Sequence, residues 1–154
     1  MKQDKARPLA ERIAVLSQQF PHYAHLIQAF HDYWPESVEG PIAGTVAILK
    51  QLKQAGYPLF GLSNWSAETF PSVRKKFDFF DLFDDMVVSG HVGQVKPGPE
   101  IYQILLERIA RPAQECLFID DALPNVQQAE ALGFVTIHFQ SPEQLEAALL
   151  DLKI

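Results

Sequence analysis

The sequence predicts an open α/β domain in three layers, with a mostly parallel sheet preceded by an N-terminal helical segment. Three observations carry that expectation. From Thr45 onward, short apolar runs alternate with segments of helical periodicity. The runs are apolar along nearly their whole length, as strands are when helices cover both sheet faces. The polar residues best suited to chemistry stand just beyond the C-terminal ends of those runs, where open α/β sheets bind ligands.

Taken in order, residues 9–20 place Leu9, Ile13, Leu16 and Phe20 at helical spacing, and Pro21 stops that element. Residues 22–33 set His22, Leu26, Ala29, Phe30 and Tyr33 on a second helical stripe. The segment WPESVEGPIAG, with two prolines and two glycines, marks a module boundary near residues 34–44. Thr45 is the expected N-cap of the next helix, whose stripe is Val46, Leu49 and Leu52 and whose stop is Gly56. Strands follow at 58–63, 86–89, 116–120 and 134–139. Helices are expected at 66–77, where Pro71 complicates the first turns, at 99–110, and at 124–132 before Gly133. Residues 90–99 read as loop. Ser141, Pro142 and Gln144 open the last helix with a cap, a first-turn proline and a box-like partner. Each crossover is long enough for a right-handed parallel connection.

Composition narrows the function. The chain has 154 residues, 47% of them apolar and 21% charged, enough for one well-packed domain. A net charge of -6, with no Lys/Arg-rich run, argues against nucleic acid and anionic membranes as partners. No apolar stretch has transmembrane length and the start has no secretory h-region, so a cytoplasmic protein is expected. The single cysteine, Cys116, lies in an apolar run and reads as a small core residue. The five histidines fall at no metal-ligand spacing. Nothing in the sequence speaks to oligomeric state.

The strand ends hold the candidates. The first strand ends in Leu62-Ser63-Asn64, offering a hydroxyl, an amide and backbone N–H groups to an oxyanion. The same residues could simply cap a helix. Lys96, before Pro97, could neutralise a phosphoryl group or hold carboxylates; it could also be a surface lysine in a turn. Asp120 and Asp121 end the third strand. Adjacent carboxylates there repel, and burial raises the cost of both charges, which a hard cation such as Mg²⁺ would remove. Their side chains diverge in extended chain, so both need not bind a metal directly. Asn125, four residues after Asp121, could orient it or cap the helix.

The segments LSNW (62–65), SGHVGQVKPGPEIY (89–102) and LFIDDALPNVQQAEALGF (117–134), in that order, resemble those of the haloacid dehalogenase-like hydrolase superfamily. The likeness is nearest to phosphatase-like members with small helical caps. It implies a Rossmann-like core over residues 40–154, lacking its first strand, and a partial helical cap over residues 1–39. It implies that Ser63 and Asn64 bind phosphate, that Lys96 binds phosphate and stabilises an aspartyl-phosphate intermediate, and that Asp121 is the Mg²⁺ ligand. Asp120 and Asn125 would support them. The substrate implied is a small phosphorylated metabolite.

One departure stands out. The superfamily begins with a central strand ending in a D-x-D motif, whose first Asp is the nucleophile and whose second is the general acid/base. No D-x-D precedes Ser63 here; Asp4 and Asp32 lack the context. The expectation is therefore a truncated form of a Mg-dependent phosphatase, with activity absent or impaired. Two alternatives accompany it: a noncatalytic Mg/phosphate-binding or regulatory module, and a parent acting as a metal-independent 2-haloacid dehalogenase.

Overall fold

Apolar runs too short for helices, each closed by a turn, give four strands: β1 (Phe60–Ser63), β2 (Asp85–Val88), β3 (Leu117–Asp120) and β4 (Val135–His138). The computed structural model of the chain describes residues 9–154. β1 pairs with β2 in parallel, Phe60 opposite Asp85 and Ser63 opposite Val88. β3 pairs with β4 in the same sense, Leu117 opposite Val135 and Asp120 opposite His138. The parallel direction is the one the sequence predicts. The sheet, however, is divided into two hydrogen-bonded pairs.

Helices cover both faces, which is why the strands are largely apolar between their ends. On one face α3 (Ala43–Gln54) and α8 (Pro142–Asp151) bury Ile48, Leu145 and Leu149 against Ile137, with Leu117 and Ile119 packed alongside. On the other, α6 (Pro99–Ile109) and α7 (Leu123–Ala131) bury Ile101, Tyr102, Leu105 and Ala129 against Val87, Phe118 and Phe134. A third cluster joins Phe70 and Val73 of α4 (Phe70–Lys76) to Phe80 and Val88. The N-terminal pair, α1 (Leu9–Gln19) and α2 (Ala24–Tyr33), reaches this cluster through Trp34, whose ring meets Trp65 edge-on at 5.7 Å. The stripe of α2 is otherwise open: Leu26, Phe30 and Tyr33 are exposed.

Several boundaries differ from expectation for local reasons. Thr45 does not cap α3. The helix starts at Ala43 after extended Ile42, and the Thr45 hydroxyl is buried without a hydrogen-bond partner. Gly44 explains the early start: a Cβ there would lie 2.7 Å from Pro142 Cβ, so this turn is packed into the α3–α8 contact. α4 begins at Phe70, later than the expected Ser66, because Pro71 fits only a first turn. Residues 66–69 form a turn in which Ser66 Oγ accepts from Glu68 N. The expected loop after β2 contains one helical turn, α5 (Ser89–Val92), ended by Gly93 at φ +70°. The start of α8 follows the sequence pattern: Ser141 Oγ accepts from Gln144 N, and Gln144 Oε1 accepts from Gln140 N.

Between the two pairs lies a cleft of about 930 Å³. β1 borders it with Phe60 and Leu62, and β3 with Leu117 and Ile119; α3, α6 and α8 close its faces with apolar side chains. Its C-terminal mouth carries Asp120 and Asp121.

Candidate functional site

Parallel pairing brings the C-terminal ends of the strands to one rim, and the loops after β1 and β2 interlock there. Gly90 makes the interlock possible. Its N–H donates to Trp65 O at 2.9 Å, and a Cβ at Gly90 would lie 2.2 Å from Ala67 N. The Ser89 hydroxyl also donates to Trp65 O, at 3.1 Å. The loop after β1 is thus tied to the start of α5.

Asn64 ties it to Lys96. Asn64 Nδ2 donates to Lys96 O at 2.9 Å, and Asn64 Oδ1 accepts from Lys96 N at 2.8 Å. The Asn64 side chain is spent on fixing that backbone, which leaves its own N–H for a ligand. The Lys96–Pro97 bond that follows is cis. Lys96 then turns inward. Its ammonium donates to Leu62 O at 2.7 Å and to Asp120 Oδ2 at 2.6 Å, so it spans the mouths of β1 and β3. Phe118 lies beneath, its ring centre 5.9 Å from Nζ.

Asp120 and Asp121 part as extended chain requires. The Asp120 side chain is 6% exposed and that of Lys96 10%, so each offsets the other's desolvation. Asp120 Oδ1 accepts from Ala122 N at 2.9 Å and from Asn125 Nδ2 at 2.8 Å. All its recorded bonds come from protein donors. Asp121 is exposed, and its carboxylate makes no hydrogen bond among the described residues. Its backbone carbonyl meets His138 Nε2 at 3.0 Å. The Ser63 hydroxyl is half-buried and likewise unbonded among the described residues. A single hydrogen-bonded chain therefore runs from Asn64 through Lys96 and Asp120 to Asn125, flanked by a free hydroxyl and a free carboxylate.

Three participants escaped the sequence reading. Leu62 contributes its carbonyl. Tyr102 donates its hydroxyl to Asn125 O at 2.9 Å from within the core. Burial, and then the charge of Asp120, push the Tyr102 phenol above its usual range. His138 stands opposite Asp120 in the β3–β4 register; the matching ends of the two apolar runs were the available signal. His91 of α5 packs edge-on to Phe70 beside a separate small cavity.

Among the described residues no three His, Cys, Asp or Glu side chains converge as a closed metal site requires. The donors suit an open site. Mg²⁺ is commonly held by one or two carboxylates, with waters and substrate phosphate filling the rest. Asp121 offers one such carboxylate.

Comparison with known proteins gives consistent matches. The family model for haloacid dehalogenase-like hydrolase matches residues 3–133. Drimenol cyclase drtB of Aspergillus calidoustus is 33% identical over 104 residues, covering 68% of this chain and 20% of that protein. Sesquiterpene phosphatase astK of Aspergillus oryzae is 36% identical over 98 residues, covering 64% of this chain and 50% of that one. The chain thus spans half, or less, of the length of these curated relatives. A solved structure of a HAD family enzyme from Bacteroides thetaiotaomicron, in complex with magnesium and inorganic phosphate, shares the fold. Its TM-score is 0.70 at 22% identity, over 90% of this chain and 73% of that one.

Proposed function

Since the chain belongs to the haloacid dehalogenase-like hydrolases, we propose that its strand mouths form the phosphoryl-binding half of a phosphomonoesterase site. The placement of Lys96 carries this reading. A nearly buried ammonium is held at the junction of both strand pairs, with the free Ser63 hydroxyl following directly on Leu62. Lys96 binds phosphoryl oxygens by charge-assisted hydrogen bonds. Ser63 adds its hydroxyl, and Asn64 its backbone N–H. Asp120 and Asn125 hold the lysine in place. Asp121, with its carboxylate open to solvent, is the Mg²⁺ ligand. The bound metal would offset phosphoryl charge. The magnesium and phosphate held by the Bacteroides enzyme support this assignment.

The phosphatase among the relatives supports a small phosphomonoester as substrate. Of the segment 1–39, residues 9–39 are assigned as part of a helical cap, residues 1–8 lying outside the described residues, and 40–154 are assigned as the core. Hydrolysis through an aspartyl phosphate needs a carboxylate nucleophile aimed at the same phosphoryl group. Among the described residues the carboxylate facing Lys96 is Asp120, and its bonds serve positioning. We therefore assign binding without turnover to this chain, with the nucleophile supplied by another segment.

The test is hydrolysis of p-nitrophenyl phosphate by the 154-residue chain in Mg²⁺. The expected rate is that of buffer. Turnover that disappears in Lys96→Ala would overturn the noncatalytic assignment. In parallel, Mg²⁺ should bind saturably and lose that binding in Asp121→Asn. A folded chain that binds no Mg²⁺ would remove the metal from the account.

A further inference from the structure

We propose that His138 is a positioning residue for Asp121: from the neighbouring strand it fixes the peptide that aims the Asp121 carboxylate at Mg²⁺. This rests on the phosphoryl-binding reading, in which Asp121 is the metal ligand, and gives β4 a part in that site.

The backbone around Asp121 shows what His138 adds. Planar peptides leave each residue two soft torsions, so the two peptides flanking Asp121 set its Cα–Cβ direction. The peptide before it is held by Asp120 O, which accepts from Phe139 N at 2.9 Å. The peptide after it is held at both ends. Ala122 N donates to Asp120 Oδ1 at 2.9 Å, and His138 Nε2 meets Asp121 O at 3.0 Å. The first of these bonds closes within the loop itself. His138 supplies the bond from outside the loop. At the next carbonyl α7 takes over, with Ala122 O accepting from Asn125 N and Val126 N.

The strand register delivers the imidazole. Asp120 pairs with His138, so the ring stands level with the last residue of β3 and reaches the carbonyl that follows. A carbonyl oxygen only accepts, so Nε2 carries the proton in this bond. The ring is half-buried, whereas Asp121 is exposed. The Asp121 carboxylate has no hydrogen bond among the described residues, so its backbone is what aims it. A ligand aimed beforehand loses less freedom when it takes up a cation. Partners one bond removed from a metal ligand typically govern metal affinity by about 10–100-fold.

The test compares the full chain with His138→Gln and His138→Asn. The Gln amide nitrogen lies as far along its side chain as imidazole Nε2, and that of Asn lies only as far as Nδ1. The pair therefore keeps polarity and changes reach. Mg²⁺ alone is titrated and followed by NMR at the Asp121 and Ala122 amides, with each fold checked by its urea midpoint. His138→Asn should weaken Mg²⁺ binding about tenfold, and His138→Gln should restore it to within about threefold of the unsubstituted chain. His138→Leu, which has no donor, should show the same loss and takes the place of His138→Asn if that variant does not fold. In the metal-free chain at about pH 8, imidazole ¹⁵N spectra should place the proton on Nε2. An ordinary strand-end histidine would shift the urea midpoint and leave Mg²⁺ affinity unchanged. That result, an equal loss in the Gln and Asn variants, or a proton on Nδ1 would each overturn the positioning role while leaving the metal assignment intact. An unsubstituted chain that binds no Mg²⁺ would overturn the metal assignment, and this proposal with it.

Discussion

Replacing Asp120 by Asn should strongly destabilise the chain. The Asp120 and Lys96 side chains are 6% and 10% exposed, and their charges meet at 2.6 Å. Asn keeps one acceptor oxygen for Ala122 N or Asn125 Nδ2, but sets an NH₂ against the ammonium. Lys96 is then left with a desolvated charge and Leu62 O as its remaining partner. Breaking one side of a buried pair costs about 3–5 kcal/mol. Small domains have urea m-values of about 1–3 kcal/mol/M, so the midpoint should fall by about 1 M or more with m unchanged. Urea denaturation followed by circular dichroism measures this directly. The double variant with Lys96→Met should cost less than the sum of the two single changes by about 1–3 kcal/mol, because it removes both charges together. Full additivity, or a single-variant shift below about 0.3 M, would refute the claim that this pair organises the rim.

Other consequences follow from the same packing. Ser141→Ala removes the side-chain acceptor for Gln144 N and should lower stability by about 1 kcal/mol in the same urea assay. Tyr102→Phe leaves Asn125 O without its donor and should cost about 1–3 kcal/mol. The Tyr102 phenol stays neutral in the fold at pH values where the unfolded chain ionises it. Its contribution is therefore complete below about pH 10 and lost as pH rises above that value, and Tyr102→Phe should flatten this alkaline decline in a stability–pH profile. Gly90→Ala forces a Cβ to 2.2 Å from Ala67 N. The resulting overpacking should cost about 1–3 kcal/mol and shift the Ser63 and Asn64 amide resonances.

The strand ends were legible in the sequence because a parallel open sheet leaves little choice: apolar runs must be buried and polar residues after them must meet at one rim. Ser63, Lys96 and Asp120 could be placed on that rim without coordinates. What Lys96 does there could not. Its hold on Leu62 O depends on which way a carbonyl points, and spacing does not encode that. Nor could spacing show that the Asn64 amide is consumed by the backbone of a residue 32 positions away. Thr45 failed as a cap because the contact of Gly44 with Pro142 of α8 outweighed a local preference. Residues 66–69 failed as helix because Pro71 fixed where the first turn had to lie. The division of the sheet into two pairs was not legible, since periodicity cannot reveal how strands are ordered.

The most direct test of the central claim is titration of the chain with inorganic phosphate in Mg²⁺, observed at the backbone amides of Ser63 and Asn64. The account predicts saturable shifts at both, with affinity reduced at least tenfold in a folded Lys96→Met variant. No shift at these amides, or the same affinity without the lysine, would contradict it.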